Sequence, residues 1–306
     1  MAVCEDTLIA VLPSGVLKEV PKKEYIYNQT KRARRDEKIF ADKTMDSIKA
    51  IWPFSQSADK IVISREGTAW YLLAEVSAEE FLQADEWEEC RGTLAAGGLM
   101  IPCEKDADSL ICGAKNGDIV RLPADKLCAW QGQRQVVRIG EAPLAAACFC
   151  KATDDILLIS EKGQALRTHV SDLYKRVDIG GGLTKGMRMK TGTDDRLRCC
   201  LVYQPKRSLT AISQQRKLLV LRVDGEEKAQ LRAQGHVGEG VCLVHVEGSD
   251  GVADVLYADQ AVLLLSDSGY AQCRDISVLR EKGRRAKGIE GMKRGQIIRA
   301  VCAKVK

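Results

Sequence analysis

Twelve cysteines are the most reactive side chains of this 306-residue chain, and their spacing limits what they can do. They lie at Cys4, Cys90, Cys103, Cys112, Cys128, Cys148, Cys150, Cys199, Cys200, Cys242, Cys273 and Cys302, with no C-x-x-C pair among them. Structural zinc needs two such closely spaced pairs. Cys148/Cys150 and Cys199/Cys200 are read as splitting across opposite faces of a strand. The cysteines are therefore expected to fill a core in a reducing compartment, holding no metal and no cofactor. His169, His236 and His245 are the only histidines; Cys242 and His245, three residues apart on a strand, face away from each other. Asp194 and Asp195 precede the apolar run Leu197 to Val202 and read as turn residues. Gly180, Gly181 and Gly182 with Lys185 and Gly186 approach a phosphate loop, but Met187 follows Gly186 where the motif requires lysine. No catalytic residue is expected, and the chain reads as a non-enzyme.

Charge says more. The formal net charge of +5 averages 47 basic against 42 acidic residues, and the basic ones are clustered. From Glu281 to Lys306 nine basic residues, Arg284, Arg285, Lys287, Lys293 and Arg294 among them, face two acidic ones. Lys31, Arg32, Arg34 and Arg35 form a second cluster, and Lys175, Arg176, Lys185, Arg188 and Lys190 a third. Acids concentrate elsewhere, at Glu79, Glu80, Asp85, Glu86, Glu88 and Glu89, where Ser77 and Glu80 have the spacing to cap one short helix.

The elements that must position these charges recur about every fifty residues. An apolar strand enters a Ser/Glu/Asp-rich turn closed by glycine, and a second strand leaves it. The copies are Leu8 to Val20, Ile61 to Leu73, Leu110 to Leu122, Ile156 to Thr168 and Val262 to Arg274. Their turn glycines, Gly15, Gly67, Gly117, Gly163 and Gly269, are separated by 52, 50, 46 and 106 residues. The last gap is two periods, and Leu209 to Val223 fills it, with Arg216 or Lys217 where glycine is expected. Glycine supplies the positive φ of a tight hairpin turn. Self-similarity at this period marks an architecture in which one small sheet cannot bury its own faces alone. The reading is all-β: one domain over residues 1–306, with six blades starting near residues 6, 58, 108, 154, 207 and 260.

An apolar content of 45% with no apolar run near eighteen residues argues against a membrane-spanning helix. Met1 to Ala10 lacks the basic start of a signal peptide. A soluble, intracellular protein is expected, monomeric because nothing suggests a coiled coil or a self-pairing edge. In a ring of blades equivalent loops lie at equivalent radius, so the recurring clusters should form a discontinuous positive belt, suited to a polyanion that travels around the disc.

The residues at this point resemble a family, the C-terminal β-pinwheel domain of the A chains of bacterial type IIA topoisomerases, DNA gyrase and topoisomerase IV. The nearest copies are ILLISEKGQALRTHVSDL followed by GGGLTKGMRMKTGTDDRL, and VLLLSDSGYAQCRDISVL followed by GRRAKGIEGMKRGQIIRAV. Arg167, Thr168, Val170, Ser171 and Asp172 match the family's R-T-x-V-S-[ED] strand; Lys185, Gly186 and Asp195 match the loop and acidic turn that follow. The resemblance covers nearly the whole chain, and its specificity rests on these two copies. It implies a non-catalytic module of the bacterial cytoplasm, associated with the nucleoid, that binds and bends or wraps double-stranded DNA beside a topoisomerase cleavage core. Its DNA-binding residues would be Lys31, Arg32, Arg34, Arg35, Arg167, Lys175, Arg176, Lys185, Arg188, Lys190, Arg284, Arg285, Lys287, Lys293 and Arg294. Gyrase carries a basic box, Q-R-R-G-G-K-G, that the resemblance links to wrapping of fixed hand. Here the loop reads NQTKRARRDEK, Asn28 to Lys38, with both glycines gone and Asp36 and Glu37 intruding. That keeps DNA affinity and puts chiral wrapping in doubt. The rival reading is a propeller-like protein-interaction scaffold, favoured only by a faint turn box at Ser266, Asp267, Ser268 and Gly269.

Overall fold

The computed structural model describes residues 7–21, 36–39, 47–128, 132–173, 177–190, 192–222, 231–235 and 237–303. All six expected hairpins form. They pair Thr7–Val11 with Leu17–Pro21, Lys60–Ile63 with Thr68–Leu72, and Ser109–Ala114 with Ile119–Pro123. They go on to pair Asp155–Ser160 with Gln164–His169, Leu209–Ser213 with Lys217–Leu221, and Ala261–Ser266 with Tyr270–Asp275. The turn glycines take φ values between 72° and 89°, and at the fifth turn Arg216 takes the same left-handed conformation at φ 71°.

Each hairpin gains an inner strand from the chain that follows it: Ala50–Phe54, Leu99–Pro102, Leu144–Cys150, Leu197–Val202, Val252–Tyr257 and Ile297–Ala303 in turn. The first strand of each hairpin is an almost unbroken apolar run, because it is covered on both faces. Its alternate side chains enter two different cores. Ile61 and Ile63 pack with Leu110 and Cys112 of the third sheet, whereas Val62 packs with Ile9 of the first. Likewise Leu157 and Ile159 face the fifth sheet, and Ile156 and Leu158 face the third. Six such cores lie between successive sheets, the last joining Leu263 and Leu265 of the sixth sheet to Leu8 and Ala10 of the first. The inner strands of all six sheets line one central cavity of about 550 Å³.

The cysteines split in two ways. Cys199 and Cys200 pack in different cores, as read from the sequence. Cys148 and Cys150 do not: both pack in the core between the third and fourth sheets, as residues two apart on a strand must, correcting the expectation that they face apart. Cys148 Sγ lies 3.0 Å from Cys200 Sγ of the neighbouring inner strand.

One short helix forms where Ser77 and Glu80 indicate it. Ala78–Gln83 is capped by the Ser77 hydroxyl, which accepts from Glu80 N at 3.1 Å, and a second helix, Glu88–Ala95, follows. Phe81, Cys90 and Leu94 drive this insert into the core between the first and second sheets, leaving its six acids in solvent.

Candidate nucleic-acid interface

The outer edge of the molecule is built by strands that cross from one unit to the previous one. Gln133–Gln135 pairs with the second hairpin, Val241–Cys242 with the fourth, Ile289–Glu290 with the fifth, and Glu37–Lys38 with the sixth; Thr184 bridges Ile119 of the third. Each crossing is pinned at the turn. Val136 N donates to Gly67 O at 2.9 Å, Met187 N to Gly117 O at 3.0 Å, Leu243 N to Gly163 O at 2.8 Å, Gly291 N to Arg216 O at 2.7 Å and Ile39 N to Gly269 O at 2.8 Å. At Gly67, Gly117 and Gly163 the crossing backbone sits where a β-carbon would project, so these glycines are required for close approach as well as for φ.

Cations ride on these crossings. Lys185, Arg188 and Lys190 are exposed beside the third turn, and Arg285, Lys287, Lys293 and Arg294 beside the fifth and sixth, with Arg284 partly buried among them. Lys185 pairs with Asp118 at 3.2 Å, Arg188 with Glu239 at 4.0 Å and Lys287 with Glu247 at 3.6 Å. Exposed pairs of this kind contribute about 0–1 kcal/mol and exchange readily for phosphate. Arg294 stacks on Tyr270, 4.9 Å from the ring centroid, and donates to its hydroxyl at 2.7 Å. The fourth crossing is weaker, with Arg232 exposed but Glu239 and Glu247 engaging neighbouring cations.

Arg167 is engaged inside this edge rather than displayed on it. Its guanidinium pairs with Asp155 at 2.6 Å, donates to Leu231 O at 2.9 Å and lies 3.8 Å from the Tyr203 ring centroid, with the side chain only 22% exposed. It ties the fourth sheet to the crossing over it. Lys31, Arg32, Arg34, Arg35, Lys175 and Arg176 lie outside the described residues. Sequence reading missed Arg134 and Arg138, both exposed on the crossing over the second hairpin. The signal that could have found them is their position one repeat before Lys185 and Arg188.

The other candidate chemistry is structural. Asp195 accepts from Ser160 Oγ at 2.7 Å and from Lys162 N at 2.9 Å, tying the fourth turn. Among the described residues no group of three or more His, Cys, Asp or Glu is placed to hold a metal, and no helix is long and apolar enough to cross a membrane.

A solved DNA gyrase A C-terminal domain superposes with a TM-score of 0.75 and 17% identity, covering 96% of this chain and 98% of that one. The fold is that of the DNA gyrase A C-terminal domain. The C-terminal domain of a topoisomerase IV follows at TM-score 0.61 and 14% identity, covering 98% and 94%, and that of E. coli ParC at 0.52 and 16%, covering 80% and 98%. Among curated proteins the chain is 28% identical over 204 residues to the DNA gyrase A proteins of Mycobacterium bovis and Mycobacterium tuberculosis. That match takes in 62% of this chain and 23% of each relative. Against gyrase A of Mycolicibacterium smegmatis the figures are 26% over 207 residues, 63% and 23%. The chain thus spans about a quarter of the length of these relatives. No family model matches it. The resemblance carried by the repeats in the sequence stands in both comparisons.

Proposed function

We propose that the chain is a six-bladed β-pinwheel that binds duplex DNA along its outer edge and bends it, a non-catalytic module serving the cleavage core of a type IIA topoisomerase. The observation that carries this reading is the periodic placement of exposed cations on strands that cross at equivalent turns, over a fold shared with gyrase A and topoisomerase IV C-terminal domains. Such an edge meets phosphates at a regular interval without reading bases.

The path is interrupted once. No crossing strand covers the first turn among the described residues; the helical insert sits there, with Ala95 Cβ 3.8 Å from the position of a β-carbon on Gly15. Its six exposed acids repel DNA, so the duplex enters or leaves at this seam. Of the two acids that break the basic box, Glu37 begins the strand that completes the sixth sheet, and Asp36 beside it accepts from Lys293 N at 3.0 Å. Asp36 thus has a structural role, which leaves Lys31, Arg32, Arg34 and Arg35 to supply charge.

Smooth bending of a short site costs about 1–6 kcal/mol, so several crossings must engage together. With about eight phosphates neutralised, log K falls against log salt with a slope of about −7. Equilibrium binding to duplexes of increasing length across a salt series tests this. Affinity that grows with length, and a slope lowered by about 3 in K185A/R188A/K190A, supports the edge; length-independent binding with a shallow slope rejects it.

A further inference from the structure

The central cavity carries a charge that the outer edge does not explain. It is lined by Lys49, Arg65, Lys115, Arg196, Arg198 and Arg299 against two carboxylates, Glu161 and Asp254. Both carboxylates are already engaged. Glu161 accepts from Gln214 at 2.8 Å and pairs with Arg196, while Asp254 accepts from Ala300 N at 3.0 Å and lies 3.4 Å from Arg299 Nε.

The remaining cations are held in place by backbone. Arg65 Nε donates to Gly97 O at 2.9 Å, Arg198 Nε to Ala253 O at 3.0 Å, and Lys49 Nζ to Ala95 O at 2.7 Å. The partly buried Lys115 makes no side-chain hydrogen bond or ion pair among the described residues. Partial burial and the guanidinium groups of Arg65, Arg196 and Arg198 hold its ammonium below the ordinary lysine range. Backbone joins these positions: Leu197 N donates to Lys115 O at 2.9 Å and Leu144 N to Arg65 O at 3.0 Å, so three consecutive units deliver their charges to one place.

Like charges fixed together in excess of their counter-charge oppose folding, and an anion entering among them relieves that repulsion with little reorganisation. A cavity of about 550 Å³ falls in the range of small-molecule sites and does not admit a duplex. We propose that the central cavity binds a small, multiply charged phosphate anion through Arg65, Lys115, Arg196 and Arg198.

The site is separate from the DNA edge, and its test is too. Inorganic triphosphate is titrated into the full chain by calorimetry, with adenosine triphosphate in parallel. The expected result is saturable one-to-one binding of triphosphate, weakened at least tenfold by K115A, restored by K115R and unchanged by K185A/R188A/K190A. Equal affinities for the two ligands assign recognition to the phosphate chain alone; tighter nucleotide binding adds contacts to the base within the same cavity. K115A removes no bond of the fold, so its thermal unfolding should match the parent. Absence of saturation at physiological salt overturns the proposal, as does binding lost in the edge variant but kept in K115A.

Discussion

Gly117→Ala is the sharpest test of how the edge is assembled. Gly117 has φ 86°, and forcing an alanine into the left-handed region costs about 1–2 kcal/mol. The new methyl would also overlap the carbonyl of Met187 on the crossing strand, adding about 1–3 kcal/mol of overpacking. Displacing that strand gives up the Met187 N to Gly117 O bond, about another 1 kcal/mol. The total is about 3–6 kcal/mol. Gly15→Ala is the matched control, because Gly15 has the same φ of 86° but its nearest neighbour is 3.8 Å away, so only the first cost of about 1–2 kcal/mol applies. Arg216, left-handed in the native fifth turn, shows that this first cost alone is tolerated. Urea unfolding monitored by tryptophan fluorescence measures both variants. Equal losses of stability in the two would refute the claim that a crossing strand packs on the third turn whereas none among the described residues packs on the first.

Three further outcomes follow from single side chains. Arg167→Ala takes the guanidinium from the Asp155 carboxylate, which is 9% exposed, and leaves it only His169 Nδ1 at 2.8 Å among the described residues; it should cost about 2–4 kcal/mol while leaving the salt slope of DNA binding unchanged, and a slope reduced by about 1 would make Arg167 a phosphate contact instead. Burial raises the Glu161 carboxyl, but bonds from Arg196 and Gln214 outweigh it and hold the group below its ordinary 4.5. Its contribution is therefore complete above about pH 4.5 and lost as pH falls through the folded value, so the stability gap between parent and E161Q should narrow only in acid. Cys128 is exposed, and hydrogen bonds from Cys103 and Tyr71 lower its thiol to about 7 against the opposing effect of burial. Buried Cys90 is pushed up to about 12. Iodoacetamide at neutral pH should label Cys128 first, and prior labelling of Cys90, followed by mass spectrometry, would contradict the assignment.

The hairpins were legible because two signals coincide in each: an apolar run covered on both faces and a turn whose φ selects glycine. Even the fifth turn declared itself by period where Arg216 replaces glycine. The crossing strands were not legible. Val241–Cys242, Ile289–Glu290 and Glu37–Lys38 are two residues long, too short for alternation to show, and each pairs with a unit it does not follow in sequence. Arg167 illustrates the limit at the site. Its residue type suits phosphate, but Asp155 across the hairpin claims it, and only strand register brings the two together. The central cavity was hidden for the same reason, since Arg65, Lys115 and Arg196 belong to three repeats and meet only when the sheets are placed side by side.

Lysine acylation footprinting, read by mass spectrometry with and without a long duplex, shows whether DNA follows the outer edge. DNA should protect Lys185, Lys190, Lys287 and Lys293 together, while Lys115 in the central cavity keeps its reactivity. Protection confined to one crossing, or falling on Lys115 with the edge lysines untouched, would contradict a duplex that follows the edge.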